Sequence, residues 1–226
     1  MDRFRDDLWR HLAPSYTAII EHPFLAALVD GSLPPEVFVH YLLQDAHYLR
    51  DYARALAITG AKATDDDSII QFCTDAAAAI TVERSLHDSI LAGFELADRA
   101  EVPVQPTTLA YTSYLLRTAY QGCFAEAVAV VLPCYWIYAM VGQELLSRTS
   151  ATPSPNPIYQ RWIDTYGGDE FQQTVQQVLG TVDRLGAGLS ASERARFVEH
   201  LLITAKYEWL FWDAAWRLES WPPELS

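Results

Sequence analysis

The chain has 226 residues, and its 16 Lys and Arg against 29 Asp and Glu give a formal net charge of −13. Half of the residues are hydrophobic and 12% are aromatic, enough for one substantial core and too many for a disordered chain. The negative charge would repel nucleic acid and anionic membrane surfaces, so neither is expected as a partner.

The cysteines and the N-terminal residues indicate which cellular compartment to expect. Cys73, Cys123 and Cys134 leave at least one thiol unpaired and form no CxxC motif, which disfavours a disulfide framework and a zinc ribbon. The charged N-terminus excludes a secretory signal, so the expected location is the cytoplasm. The longest uncharged run, between Glu126 and Glu144, is shorter than a bilayer span and predicts a buried core helix.

Apolar residues recur with helical spacing along almost the whole chain, and no useful stretch alternates as a strand would. Breaks rich in Pro, Gly, Ser and Thr separate the periodic segments. The spacing predicts helices at residues 3–13, 15–29, 34–60, 66–97, 106–121, 123–148, 155–166, 169–187 and 190–218. Because no break is long or polar enough for a domain linker, we predict one all-α domain over residues 1–226.

In the helix predicted at 34–60, a carboxylate lies on an aromatic face. Asp45, Tyr48 and Tyr52 are spaced i, i+3 and i+7, so they share one side of the helix. One interpretation is a structural carboxylate that is solvated or paired with a base of another helix, since Arg50 and Arg54 lie at the wrong spacing. The other is a carboxylate that hydrogen-bonds a small polar ligand in an aromatic pocket.

The helix predicted at 123–148 contains a thiol directly after a proline. Pro133 removes a helical hydrogen bond and predicts a kink, Cys134 follows it, and Tyr138 lies one turn further on the same face. A free cysteine is usually a small buried hydrophobe, a description that suits Cys73 and Cys123. As a nucleophile, Cys134 would need its thiol deprotonated from its usual pKa of about 8.5.

The last helix carries an acid on an apolar stripe. Glu208, Phe211, Trp212 and Ala215 are spaced i, i+3, i+4 and i+7. Unless it is paired, a glutamate there should have a raised pKa, as a carboxylic proton donor near neutral pH requires. The alternative is a surface salt bridge, although Lys206, two residues away, points to a different side of the helix.

Further tyrosines and one acid–histidine pair complete the candidates. Tyr111 lies on one face of the helix at 106–121, and Tyr166 ends an aromatic stripe in the helix at 155–166; such stripes are most often core. Glu83 and His87 are spaced i, i+4, but the paired Glu-x-x-His signature of a helical di-iron site is missing, so no metal is predicted. No phosphate-binding glycine loop occurs.

Taken together, the motifs resemble the thiaminase II (TenA) family, and the resemblance covers nearly the whole chain. The motifs that carry it, in chain order, are His22-Pro23-Phe24, Tyr41-Leu42-Leu43-Gln44-Asp45 with Tyr48-Leu49, Glu83 with Leu86-His87, Ala110-Tyr111-Thr112-Ser113-Tyr114, Leu132-Pro133-Cys134-Tyr135-Trp136-Ile137-Tyr138, Pro157 to Gly168 and Tyr207-Glu208 with Phe211-Trp212. The resemblance implies a helical bundle of the haem-oxygenase-like, TenA type.

The resemblance also implies an activity: hydrolysis of 4-amino-5-aminomethyl-2-methylpyrimidine, and in many members of thiamin, to the hydroxymethylpyrimidine in thiamin salvage. By analogy Cys134 is the nucleophile and Glu208 the proton donor. The residues implied in substrate binding are Asp45, Tyr48, Tyr111, Tyr138 and Tyr166. The presence of Cys134 favours the cysteine-dependent branch of the family.

Two departures and two rival functions complete these expectations. Ala46 stands where the family often has an aromatic residue, and Trp209 lies beside the presumed acid; both bear on whether the free amine or intact thiamin is preferred. The main alternative is a non-catalytic pyrimidine-binding or regulatory protein, and another is an iron oxygenase of the same fold. We expect no cofactor, a small-molecule partner and, by resemblance, a homotetramer.

Overall fold

The computed structural model describes the backbone of residues 3–91 and 102–222, and the side chains of residues 3–81 and 102–222. In this part of the chain every regular element is a helix, which confirms the all-α prediction. The helices are α1 (Phe4–Ile20), α2 (Pro23–Asp30), α3 (Pro35–Lys62), α4 (Asp66–Leu91), α5 (Pro106–Gln121), α6 (Phe124–Thr149), α7 (Pro157–Gly167), α8 (Asp169–Gly188) and α9 (Ala191–Trp216).

The break predicted near residue 14 is wrong, because α1 continues through Pro14 to Ile20. The break comes at His22, whose backbone is extended and whose Nδ1 accepts a hydrogen bond from the Phe24 N–H at 3.2 Å. Pro23 then takes the first helical position, where its missing N–H costs nothing. The axes of α1 and α2 differ by 56°. The other predicted ends agree within about two residues, except that residue 97, the predicted end of the fourth helix, lies outside the described residues.

The chain divides into two compact units. Unit 1 comprises Met1–Leu33 and Val128–Trp209, and unit 2 comprises Pro34–Ala127 and Leu210–Ser226. Of the three boundaries along the chain, the first therefore falls between α2 and α3, and the other two fall inside α6 and inside α9. The single-domain organisation over residues 1–226 stays a prediction.

Unit 1 has α6 in its interior, as its apolar sequence predicts. By length and composition α6 could cross a membrane, but 83% of its most apolar 18-residue window is buried inside the protein, as in a core helix. At the start of α1, the Asp183 carboxylate accepts the Arg5 backbone N–H at 2.9 Å and its Nε–H at 2.6 Å. This contact joins α1 to α8.

In unit 2, α3 packs against α4 and α5. The rings of Phe72 and Phe124 meet edge to face with centroids 6.0 Å apart, which anchors α4 to the start of α6. The Lys62 ammonium, at the end of α3, donates to the carbonyl of Tyr120 at 3.0 Å and to that of Gly122. These carbonyls terminate α5, so a cation there also suits the negative end of the helix.

Candidate functional site

The presumed nucleophile lies in unit 1, on a helix that is continuous across its proline. Helix α6 runs through Pro133, and Cys134 directly after it is half-buried. Tyr138 follows one turn later with only 5% of its surface exposed. Because they are four residues apart, the thiol and the phenol lie on the same face of this helix.

Tyr138 belongs to an aromatic cluster of three rings in unit 1. Its centroid lies 4.9 Å from that of Tyr166 and 6.1 Å from that of Trp162, and the last two are 4.6 Å apart. The planes are tilted by about 50° to one another, a favourable arrangement for aromatic quadrupoles. The structure thus brings together two tyrosines from different helices, Tyr138 in the middle of α6 and Tyr166 near the end of α7.

Contacts to the backbone of α6 and α7 fix the spacing of this cluster. The Gln172 side-chain amide donates to the carbonyls of Ala139, in α6, and Tyr166, in α7, at 3.0 Å each. Gly142 faces the Tyr166 carbonyl so closely that any β-carbon there would lie 2.3 Å from the Tyr166 carbonyl carbon. The Tyr138–Tyr166 separation is therefore set by main-chain geometry as well as by ring packing.

The presumed proton donor, Glu208, also belongs to unit 1. Its side chain is 1% exposed, whereas Lys206 is exposed, so a surface salt bridge between them does not describe this glutamate. The neighbouring Trp209 meets the ring of His22 edge to face at 5.6 Å, which ties this part of α9 to the start of α2. A carboxyl group buried to this degree must be hydrogen-bonded or protonated.

The residues predicted to bind the pyrimidine lie partly in unit 2. Asp45, Tyr48 and Tyr52 are buried on α3, with Asp45 only 4% exposed, so the solvated interpretation of this carboxylate is wrong. The Tyr48 ring lies 4.9 Å from Tyr111 of α5, and its hydroxyl donates to the Tyr111 hydroxyl at 3.3 Å. Phe211 packs on Tyr48 at 5.6 Å. We call Asp45, Tyr48 and Tyr111, which are predicted to contact the pyrimidine, the ring-binding wall.

The sequence reasoning assigned no role to Gln44, the residue before Asp45. It is 4% exposed, donates from Nε2 to the Pro103 carbonyl at 3.1 Å, and accepts the Gln105 N–H on Oε1 at 2.9 Å. One turn on, His47 donates from Nε2 to the Val102 carbonyl at 2.8 Å. The only signal in the sequence was an amide among apolar residues of α3.

The predicted site residues are thus buried or half-buried within their units. Unit 1 contains Cys134, Tyr138, Tyr166 and Glu208, and unit 2 contains Asp45, Tyr48 and Tyr111. Their roles stay predictions. Among the described residues, no group of three or more His, Cys, Asp and Glu is arranged to hold a metal ion. The side chains of Glu83 and His87 lie outside the described ones.

Comparison with known proteins agrees with the motifs. The model of the TENA/THI-4/PQQC family matches residues 9–218. The chain is 37% identical over 202 residues to the aminopyrimidine aminohydrolase of Bacillus subtilis, covering 88% of this chain and 84% of that protein. It is 34% identical to the aminopyrimidine aminohydrolase of Halalkalibacterium halodurans over 220 residues, or 96% of this chain and 97% of that one.

A solved structure shows the same helical architecture. The TenA homologue from P. horikoshii OT3 superposes with a TM-score of 0.86 at 29% identity, covering 96% of this chain and 99% of that one. The sequence similarity thus covers 84% and 97% of the two relatives, and the structural similarity covers 99% of the solved protein. The chain belongs to the TENA/THI-4/PQQC family.

Proposed function

We propose that this protein is an aminopyrimidine aminohydrolase of the thiaminase II type, a hydrolase of carbon–nitrogen bonds that acts in thiamin salvage. The observation that carries the proposal is the 37% identity to a relative of that name over 84% of the relative's length. The tyrosine pairs in both units support it, because flat phenol faces suit a flat heteroaromatic substrate. The substrate would be 4-amino-5-aminomethyl-2-methylpyrimidine or thiamin.

The proposed reaction uses one acid and one nucleophile. Glu208 protonates the pyrimidine ring, which draws electrons from the ring carbons. The Cys134 thiolate then adds to the ring and forms a carbon–sulfur bond. The side-chain amine, which is protonated at neutral pH, leaves as ammonia and generates an exocyclic methylene; with thiamin the thiazole leaves instead. Water adds to that methylene and releases a proton to solvent. The carbon–sulfur bond then breaks to restore the aromatic ring and the thiolate, and the ring proton returns to Glu208.

The remaining residues would hold the ring. Asp45, a buried acceptor, would take hydrogen bonds from the ring amine, which a buried carboxylate needs to offset its lost hydration. Tyr48, Tyr111, Tyr138 and Tyr166 would supply the aromatic surface. This assignment places the protein in the cysteine-dependent branch of its family.

The test is the Cys134→Ser variant, with Cys73→Ser as its matched control. Both exchange sulfur for oxygen, but Cys73 is exposed and has no proposed role. With aminomethylpyrimidine and with thiamin as substrates, release of ammonia and of the thiazole is followed separately. We expect Cys134→Ser to lose activity by about a thousandfold or more with an unchanged melting temperature, while Cys73→Ser retains it.

Two outcomes would contradict the proposal in different ways. A Cys134→Ser variant as fast as the wild type would remove Cys134 as nucleophile. A wild-type protein that binds the pyrimidine without turnover, with an affinity insensitive to loss of Cys134, would instead be the binding or regulatory protein considered above.

Assembly and location belong to the same proposal. The protein would be cytoplasmic, as its sequence predicts, and by family resemblance a homotetramer. Exposed apolar side chains such as Ile70 and Tyr120, each about two-thirds exposed, are compatible with burial in an assembly. Light scattering should then give about four times the 25.4 kDa mass of one chain. A mass of a single chain at working concentration would refute the tetramer.

A further inference from the structure

The chain does not simply end after α9 but turns back within unit 2. Leu218 has φ 51°, a left-handed conformation that residues other than glycine adopt only when their surroundings hold them there. The turn is closed by the Leu218 N–H on the Ala215 carbonyl at 3.0 Å and the Glu219 N–H on the Ala214 carbonyl at 2.8 Å. Residues 217–222, which we call the C-terminal strap, then run to the start of α5.

The strap caps α5 from far along the chain. One Glu219 carboxylate oxygen accepts the Thr107 N–H at 2.8 Å, and the other accepts the Thr107 hydroxyl at 3.0 Å. The N-cap residue Gln105 makes no side-chain cap of its own. Because the first N–H groups of a helix lack partners and carry a partial positive charge, a carboxylate at this point stabilises the start of α5.

The strap also reaches α3 through one buried amide. Trp221 donates from its backbone N–H to Gln105 Oε1 at 3.2 Å and from its indole to the Val104 carbonyl at 2.9 Å. The Gln105 N–H in turn donates to Gln44 Oε1 at 2.9 Å. A small cavity lined by Gln44, Gln105 and Glu219 shows that the strap and α3 face the same space.

These contacts involve residues of α3 and α5 that lie within one turn of the ring-binding wall. Gln44 directly precedes Asp45 on α3, and Thr107 lies one turn before Tyr111 on α5, whose ring contacts Tyr48. We propose that the C-terminal strap sets the spacing of α3 and α5 and so positions the ring-binding wall, with Glu219 and Gln105 as positioning residues. This inference rests on the proposed function, because it assumes that the wall binds the pyrimidine.

The proposal predicts a particular kinetic signature. A wall that holds the ring equally in the ground state and the transition state contributes to KM and not to kcat. Glu219→Gln keeps the size of the side chain but loses one of the two acceptor oxygens and the charge. We expect its KM for the aminomethylpyrimidine to rise about fivefold, with kcat within about twofold of the wild type.

The matched control is Glu193→Gln at the start of α9. Glu193 also caps a helix through a backbone N–H, that of Ser190, at 2.8 Å. Its loss removes a comparable helix cap in unit 1, without a link to the ring-binding wall, so KM and kcat should both stay unchanged. Trp221→Phe, which removes the indole N–H and keeps one aromatic ring, is the second strap variant if Glu219→Gln fails to fold, and it should raise KM in the same way.

The outcomes separate the two proposals. A rise in KM for the strap variants and not for Glu193→Gln supports the positioning role. Unchanged KM in an active, folded Glu219→Gln or Trp221→Phe overturns the strap inference and leaves the proposed function intact. A wild-type protein without turnover of either substrate overturns the proposed function and this inference with it.

Discussion

The contact between Gly142 and α7 leaves no room for a side chain, and this gives a quantitative test. A β-carbon on Gly142 would lie 2.3 Å from the Tyr166 carbonyl carbon, 2.4 Å from its oxygen and 2.6 Å from the Gly167 nitrogen. Carbon atoms in contact lie about 3.5–4.0 Å apart. Gly142→Ala therefore forces α6 and α7 apart by about 1 Å, and Tyr138 and Tyr166 with them.

Two opposing terms decide the free energy of unfolding of this variant. Replacing glycine by alanine inside a helix normally stabilises by about 0.5–1 kcal/mol. Overpacking typically costs about 1–3 kcal/mol, and here the obstructing atoms are backbone, which cannot rotate away, so the upper end applies. The net expectation is a loss of about 2 kcal/mol, which lowers the melting temperature by about 4–8 °C in a chain of this size.

Gly180→Ala in α8 is the matched control, measured by urea and thermal unfolding. The nearest atom to a β-carbon there is an Arg184 guanidinium nitrogen at 3.8 Å, so only the favourable helix term acts. This variant should gain about 0.5–1 kcal/mol. If Gly142→Ala were as stable as Gly180→Ala, the main-chain contact would not set the spacing of α6 and α7, and the account of the unit 1 aromatic cluster would be refuted.

Two further perturbations test the packing of the units. Asp183→Asn weakens the paired hydrogen bonds to Arg5 and should cost about 1–3 kcal/mol in urea unfolding, whereas Asp7→Asn, at an exposed pair, should cost less than about 1 kcal/mol; equal losses would contradict this. Burial lowers the pKa of His40, so the unfolded chain takes up this proton first and stability falls as the pH drops below about 6.5. When the pH falls from about 7.5 to about 5.5, the free energy of unfolding of His40→Gln should therefore decrease less than that of the wild type. His11→Gln, at an exposed position, is the control. If His40→Gln lost as much stability as the wild type and the control, this account of His40 would be contradicted.

Helical periodicity and punctuation predicted most of the fold, and the one misplaced break shows why. The prediction placed a break at Pro14 and ran the next helix, 15–29, through Pro23, although Pro14 lies inside α1 and Pro23 begins α2. The difference lies in the residue before each proline. His22 provides a side-chain acceptor for the Phe24 N–H, whereas the residue before Pro14 is an alanine, which has no acceptor in its side chain. Local capping chemistry, rather than the proline, decides where the chain turns.

The candidate site was predictable to the extent that it depends on single helices. Asp45 and Tyr48 share a face of α3 because of their spacing, and a buried acid among aromatic residues is visible in the sequence for Glu208 as well. Gln44 escaped assignment because its partners are the backbone groups of residues 103 and 105, about 60 positions away. Periodicity carries no information about such long-range hydrogen bonds.

Each unit contains a pair of tyrosines contributed by two helices. In each unit the spacing of the two rings depends on a residue that is not aromatic. In unit 1 the pair is spaced by a glycine with no room for a side chain, and in unit 2 by an acidic residue 112 positions from the helix that it caps. A substitution that preserves every tyrosine can therefore still change the spacing of the rings. Since a flat ligand packed on aromatic rings is sensitive to shifts of about 1 Å, substrate affinity in this protein should respond to Gly142 and Glu219 even though neither belongs to the predicted site.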